Sequence, residues 1–430
     1  MSNAFSKEER VAFENLLEGF QDALVLSRNV SVYNTDQTMM ERARDTIWRP
    51  MPYIAQSIST TPGTPISGYQ NMTQLSVPAT LGYSQTVPWT MTTLELRDAL
   101  QEGRLGESAK QKLASDINVA IMNVAAAQGT LVVPTSASNG SYDDIALCDS
   151  IMNEQGVPNY DRFLGLSSRD YNGLAGNIAG AAAAATRSFG GNKSNTAFER
   201  SYVGPVAGFE TYKFDYANRI AAAGGAGITI DTTDANIVDY VPQATSTSVG
   251  GQINVDNRYQ QVTLSSVVGV APGDAFTIDG IEAVHHITKG STGEPKTFRV
   301  ISLVGGGNDV IISPPIISAS GLAPTDAELQ YKNCELVSSN AAAPVNFLNV
   351  NAANINVFWQ KDALEILPGR YAVPSDAGAA IMRASTDQGI ELVMQKFYDI
   401  DSMTIKYRLD TLFGVVNKQP EMSGILLFGQ

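Results

Sequence analysis

The run APVNFLNVNAANINVFWQKD, Ala343 to Asp362, decides how this chain is read, and within it NVFWQKDA at Asn356 to Ala363. Val345 to Val350 and Asn356 to Trp359 read as short apolar strands. They follow a long β-rich stretch and precede mixed β structure that runs to the C-terminus. One host domain is therefore expected to resume here after an interruption.

The interruption begins upstream, where GGAG at Gly224 to Gly227 marks a change of texture. Up to about Asn340, period-two segments alternate with turns. Gln261 to Leu264, Asp274 to Ile278, Thr297 to Val304 and Asp309 to Ile312 are expected strands. Pro272-Gly273-Asp274, Asp279-Gly280 and Gly305 to Asp309 are expected turns. A segment of roughly 110 residues suffices for a small β-barrel with its own core.

Before it lie the helices. Ser6 and Glu9 form an expected capping box, followed by Val11, Phe13, Leu16, Leu17, Phe20 and Leu24 mainly on one face. Glu14, Glu18 and Asp22, four apart, make an acidic stripe: a solvated face, or a docking stripe for a basic partner helix. Tyr53 to Trp89 is almost uncharged and rich in Ser, Thr, Gln, Gly and Pro, with TPGTP at Thr61 to Pro65. It reads as an extended hairpin, ordered by lying on something else, a neighbouring subunit being the expected support. Thr92 and Glu95 suggest a second capping box, with a short helical piece interrupted at Gly103 and Gly106. A long helix then runs from Glu107 to Gln128, with Leu113, Ile117, Ala120, Ile121 and Val124 inward and Gly129 as the stop. Tyr142 to Glu154 is helical, Arg162 to Leu166 a strand, and Ser168 the expected N-cap of a helix to Ile178. GAAAAA at Gly180 to Ala185 reads as a helix end or a loop.

Composition narrows the function classes. A length of 430 residues implies two or three domains, and 43% hydrophobic against 17% charged residues implies an ordered globular chain. A formal charge of -14 with two histidines argues against a nucleic-acid reader, which needs a basic face. Cys148 and Cys334 show no paired spacing, so core thiols in a reducing cytosol are expected. Without an apolar leader or a run of about 18 apolar residues, the reading is a soluble, unexported protein.

No catalytic, cofactor or metal constellation stands out. GGNKS at Gly190 to Ser194 lacks the bare backbone a phosphate loop needs. His285 and His286, read as neighbours in a strand, point to opposite faces and do not share a metal. Asp143-Asp144 and Asp231 with Asp234 read as solvated turn carboxylates. Trp48, Trp89 and Trp359 are scattered rather than clustered in a binding pocket.

DTIW (Asp45 to Trp48), ASDINVAIMNVAAAQGTLVV (Ala114 to Val133), GVPNYDRFLGLSSRDY (Gly156 to Tyr171), NVDNR (Asn254 to Arg258) and NVFWQKDA occur in collinear order. In this the chain resembles the coat protein of the Salmonella-type short-tailed double-stranded DNA phages, within the tailed-phage and herpesvirus capsid fold. The resemblance covers nearly the whole length. It implies an α+β fold: an N-terminal arm (1–40), a connecting segment (41–51) and an extended loop (52–88). A peripheral domain with a spine helix (89–134), an axial domain (135–225), an inserted β-barrel (226–343) and a return to both host domains (344–430) complete it. It implies a non-enzymatic, cofactor-free protein of the virion capsid, assembled in the host cytoplasm. Its partners would be itself, in hexamers and pentamers, a scaffolding protein, a portal protein at one vertex, and a decoration protein. Packaged double-stranded DNA would be enclosed without sequence-specific binding.

Two contacts follow from the resemblance. Glu14, Glu18 and Asp22 would face a basic helical scaffold. The family's charged intercapsomer loop corresponds to VPQATSTSVGG, Val241 to Gly251, which has no charge. Polar hydrogen bonds, or Asp239 and Asp256 at its borders, would take over that contact. The rival readings are an encapsulin-like compartment shell, a tail protein and a non-assembling β-barrel binding protein. The inserted barrel argues against the first, the long helix against the second and the scattered tryptophans against the third.

Overall fold

The computed structural model describes residues 5, 7–33, 46–52, 55, 57, 60–65, 69, 71–92, 99–137, 140–184, 196–197, 199–231, 240–248, 251–321, 323–337, 342–371 and 378–430. The chain divides into two compact units, residues 1–47, 78–124 and 364–416 in the first and 48–77, 125–363 and 417–430 in the second. GGNKS, Asp234, Asp239, Glu95 and Ser6 lie outside the described residues.

In the first unit, helix α1 (Lys7–Ala23) buries Phe13, Leu16 and Phe20, and Leu24 follows just beyond it. Glu9 shares that face: its carboxylate accepts from Lys396 Nζ and, at 3.1 Å, from the Tyr407 hydroxyl. Val11 is 55% exposed, contrary to its expected place on the buried face. Two residues along a helix is roughly 200° around it, so Val11 cannot share the side of Phe13.

Helix α2 (Ala99–Gln128) is one element of 30 residues, not the two pieces expected. Glycines 103 and 106 are tolerated because glycine keeps its N–H; each costs about 1 kcal/mol against alanine but breaks no hydrogen-bond ladder. Thr92 is not a cap. It ends the strand Tyr83–Thr92 and pairs with Thr404. Leu113, Ile117, Ala120, Ile121 and Val124 are all buried.

The sheet of this unit runs Ser31–Val32, Leu364–Pro368, Thr404–Asn417, Glu391–Asp399, Ala380–Ser385, with Tyr83–Thr92 also paired to Thr404–Asn417. Tyr83 stacks on Phe413 and Trp89 on Tyr407, with ring centroids 5.3 and 5.5 Å apart. The last seven residues of the expected extended hairpin, Tyr83 to Trp89, are thus part of a strand of a packed sheet.

In the second unit, Asn356–Gln360 is the central strand of a five-stranded mixed sheet. It lies antiparallel to Ser423–Phe428 on one side and Arg162–Ser167 on the other. Leu131–Thr135 and Glu210–Phe214 extend the two sides in parallel. All five residues of NVFWQ are buried, which requires partners for its polar members. Asn356 Oδ1 accepts from the Ser167 N–H at 2.8 Å and Nδ2 donates to Asp170 at 2.9 Å. Ser167, not the expected Ser168, caps helix α4 (Ser168–Ala184), its Oγ accepting from the Asp170 N–H at 3.2 Å. The alanine tract continues this helix through Ala184. Helix α3 (Tyr142–Glu154) is closed by a capping box of Ser141 and Asp144. Arg162, 2% exposed, ties the turn after α3 to the sheet through Asp149, Asn153, Val157 and Pro158.

The β-rich stretch forms an antiparallel sheet in the order Gln260–Thr263, Asp309–Ser313, Ser291–Leu303, Ala275–Val284, Cys334–Leu336, with Val345–Phe347 also on Ala275–Val284. Ile230 bridges Leu264 and Thr229 bridges Pro344, so this segment joins the two edges into a ring. Phe276, Ile278, Phe298, Val300, Val310 and Ile312 fill the interior. Asp279-Gly280 is not a turn. The strand continues through it as a bulge, with Gly280 at φ +84°, a conformation glycine takes without strain. His285 and His286 likewise follow the strand rather than lie in it, at the start of a turn.

Candidate assembly surfaces

On α1, Glu14 and Glu18 are exposed and lie one turn apart, on the same face as the exposed Val11. The side chain of Asp22 is outside the described set. The stripe is therefore acidic with an apolar residue at one end, the pattern an amphipathic basic helix complements.

The uncharged stretch after Val241 is a β-hairpin, Thr245–Ser248 paired with Gly251–Asn254. NVDNR closes its base. Asn257, 2% exposed, accepts from the Gln243 N–H at 3.0 Å and donates to the Gln243 carbonyl at 2.8 Å. Asp256 grips Arg258 through both carboxylate oxygens, at 3.0 and 2.8 Å, while Arg258 Nη1 donates to the Asn417 carbonyl at 2.9 Å. Asp256 thus already has an internal partner, and its side chain keeps 23% exposure.

Two features escaped the sequence reading. The first is a buried charge cluster. Lys296, 1% exposed, pairs with Glu421, and His286 Nε2 lies 3.8 Å from that carboxylate. Further along the same strand, Arg299 donates to the carbonyls of Ala126, at 3.1 Å, and Gly129, at 3.2 Å, at the C-terminal end of α2. A cation there satisfies orphan carbonyls and complements the helix dipole. Burial pushes Arg299 down to about 10, with Asp274 opposing. Burial likewise pushes His286 down to about 4 despite Glu421.

The second is a main-chain clamp. The short helix Asp326–Tyr331 holds residues 71–75 of the extended segment. Asp326 accepts from the Asn71 N–H at 2.8 Å. Gln330 donates to the Asn71 carbonyl at 2.8 Å and accepts from the Thr73 N–H at 3.2 Å. The Tyr331 hydroxyl donates to the Thr73 carbonyl at 3.1 Å and accepts from the Leu75 N–H at 3.3 Å. Side chains here stand in for a pairing strand, meeting alternate residues as a β edge does. Leu75 then packs with Ile317 and Tyr331. This part of the arm is supported within its own chain, whereas the sequence pointed to a neighbouring subunit.

Cys148 and Cys334 are buried free thiols, and among the described residues no carboxylate, histidine and cysteine cluster is arranged to hold a metal. Among them, too, no helix is long and apolar enough to cross a membrane.

A family model described as P22 coat protein - gene protein 5 matches residues 1–429. Solved structures to which the chain is similar include one of Mycobacterium phage Che8, at 9% identity, 92% coverage of this chain, 88% of that chain and a TM-score of 0.43. Another is the capsid structure of the Cyanophage P-SCSP1u, at 9% identity, 93% and 86% coverage and a TM-score of 0.41. The CUS-3 coat protein I-domain is 31% identical, over 29% of this chain and 99% of that one, with a TM-score of 0.22. With the family model matched from end to end, the chain belongs to the P22 coat protein family: it is a phage major capsid protein of mixed α+β fold, a structural component of an icosahedral shell and not an enzyme.

Proposed function

We infer that this coat protein is assembled in the host cytoplasm, as hexamers and pentamers around one portal vertex, on a basic helical scaffold that docks against α1. The observation carrying this reading is the exposed pair Glu14 and Glu18 beside exposed Val11, on the face opposite Phe13 and Phe20. Asp22 continues the stripe by its spacing. A contact of this kind should be worth only a few kcal/mol, so the scaffold can leave before DNA fills the shell. The net charge of -14 fits a lining that encloses DNA without gripping it.

Residues 1–40 would then be the N-terminal arm and 41–51 the connection, with 52–88 the extended loop and 89–134 the peripheral domain. Residues 135–225 with part of 344–430 would form the axial domain. The ring closed by Ile228 to Asp231 supports reading 226–343 as an inserted barrel. The uncharged hairpin Thr245 to Asn254, bordered by Asp239 and Asp256, would reach the next capsomer by polar hydrogen bonds. A decoration protein would bind outside.

The test is electron microscopy of shells made with the scaffold present, comparing wild type with Glu14→Lys/Glu18→Lys. Both changes are on an exposed face, so the free subunit should melt as wild type does. Closed shells should give way to spirals and odd sizes. Normal shells from the doubly reversed variant would remove α1 as the scaffold site.

A further inference from the structure

We propose that Arg370 and Arg383 form a groove that receives a carboxylate side chain from a second copy of this chain in the shell. The groove lies in the first unit, has a volume of about 270 Å³, and is lined by Pro368, Gly369, Arg370, Arg383, Ser385 and Glu391 among others. Arg370 follows the strand Leu364–Pro368. Arg383 stands on Ala380–Ser385, the last strand of its sheet, and Ser385 pairs in register with Glu391.

The charges do not balance. Glu391 Oε1 is 3.9 Å from Arg370 Nε and 3.7 Å from Arg383 Nη1, both too long for hydrogen bonds. Its other oxygen accepts from the Tyr371 N–H at 3.3 Å. Two guanidinium groups thus share one carboxylate at arm's length and leave one positive charge over. Among the described residues neither guanidinium donates a hydrogen bond within the chain, although the Arg383 side chain is only 27% exposed. A guanidinium carries five N–H donors in a planar fork, and taking it out of water without an acceptor is costly. The acceptor that fits two such forks is planar and anionic, a carboxylate above all.

Complementarity points to the source. The chain carries 43 acidic against 29 basic side chains, so a second copy presents mostly carboxylates. Shell building brings copies together edge to edge, and among the described residues Ala380–Ser385 pairs on one side only, beside the groove. Burial raises Glu391 above the ordinary carboxylate value, with Arg383 opposing, which fits a carboxylate the two arginines hold too loosely to satisfy.

Two variants of the full chain test this. Arg370→Ala/Arg383→Ala should leave the melting of the free subunit unchanged. It should lower the yield of closed shells about tenfold, or shift their release of subunits to a correspondingly lower urea concentration. In Arg370→Lys, a water-soluble carbodiimide should give a cross-linked dimer in shells but not in free subunits, with mass spectrometry placing the joined Asp or Glu on a second copy. If the alanine variant proves poorly folded, the cross-link alone decides. Wild-type shell yield and urea resistance from a folded double variant would overturn the proposal. So would absence of the dimer, and so would a defect confined to DNA retention, which would assign the groove to phosphate instead.

Discussion

The cluster of Lys296, Glu421 and His286 shows what a single buried proton can be asked to do. Burying the ammonium and the carboxylate costs several kcal/mol each, and only their mutual contact offsets it. His286 lies against them, with Glu421, Lys296, Lys289 and His285 as its titratable neighbours, and is neutral because burial holds it at about 4. The ordinary value in an unfolded chain is 6.5. Between those two values the unfolded chain takes up a proton that the folded chain refuses. Stability must therefore fall as pH drops from 6.5 towards 4, by at most roughly 3 kcal/mol. Glu421 adds to the loss lower still: burial raises its value but Lys296 and His286 more than offset this, and a depressed carboxylate loses its contribution as pH falls through the folded value. Urea titrations of the free subunit should show a midpoint declining over that interval, and His286→Gln should flatten the decline. An unchanged slope in the variant would place its origin elsewhere. None of this was legible in the sequence: Glu421 is 125 residues from Lys296, and nothing in the spelling of either segment announces the other.

The clamp of Asp326–Tyr331 holds residues 71–75 of the extended segment within their own chain. Gln330 is 3% and Tyr331 8% exposed, so the helix side of these hydrogen bonds is shielded from water, and the Leu75 N–H bond to Tyr331 is buried outright. Gln330→Ala with Tyr331→Phe removes the partners of the Asn71 carbonyl, of Thr73 and of the Leu75 N–H, leaving only the Asp326 contact to the Asn71 N–H and the apolar packing of Leu75. Each buried peptide group so orphaned costs about 1–3 kcal/mol, or frees the segment to solvent. Hydrogen exchange at residues 71–75 should accelerate by at least about tenfold, with the protection of Asn356–Gln360 unchanged; equal protection in wild type and variant would show that the arm is held by other means. The elements themselves were largely legible. Period-two alternation places Gln260–Thr263 and Asp309–Ser313 to within a residue, but stops six residues short in Ala275–Val284 and starts six late in Ser291–Leu303. Tyr142 is the expected start of α3, while the cap of Ser141 and Asp144 carries no signal the pattern uses. The errors are local and physical. Glycines 103 and 106 read as breakers in the sequence although they keep their N–H groups, and Asp279-Gly280 spells a turn and makes a bulge. The clamp was missed because side chains imitating a strand leave no periodic signal, and the extended segment reads only as polar and turn-rich.

At the scale of the molecule, the decisive feature is how the chain enters and leaves its β-ring. The Val345 N–H donates to the Ile228 carbonyl at 2.9 Å and the Ile230 N–H to the Ala343 carbonyl at 3.0 Å, so both ends of the segment meet at one point. A segment with adjacent ends adds little loop-closure cost to its host and can be cut out without being unravelled. Two effects then compete in an isolated fragment of residues 226–347. It loses Glu421 beneath Lys296, and the Ala126 and Gly129 carbonyls beneath Arg299. It keeps every member of the buried cluster running from Ile228 through Phe298 to Val345, since all of them come from within it. The losses fall on groups that solvent can reclaim once the fragment stands alone, so neither cation is left buried and unpaired. The core is retained whole, and the free energy of burying it outweighs those losses. The fragment should therefore fold by itself, giving dispersed amide resonances and a single cooperative urea transition. A fragment that is compact but lacks dispersion would mean that Lys296 and Arg299 do more than fasten the ring: they would be conditions for its folding, and the host sheet would have to form first.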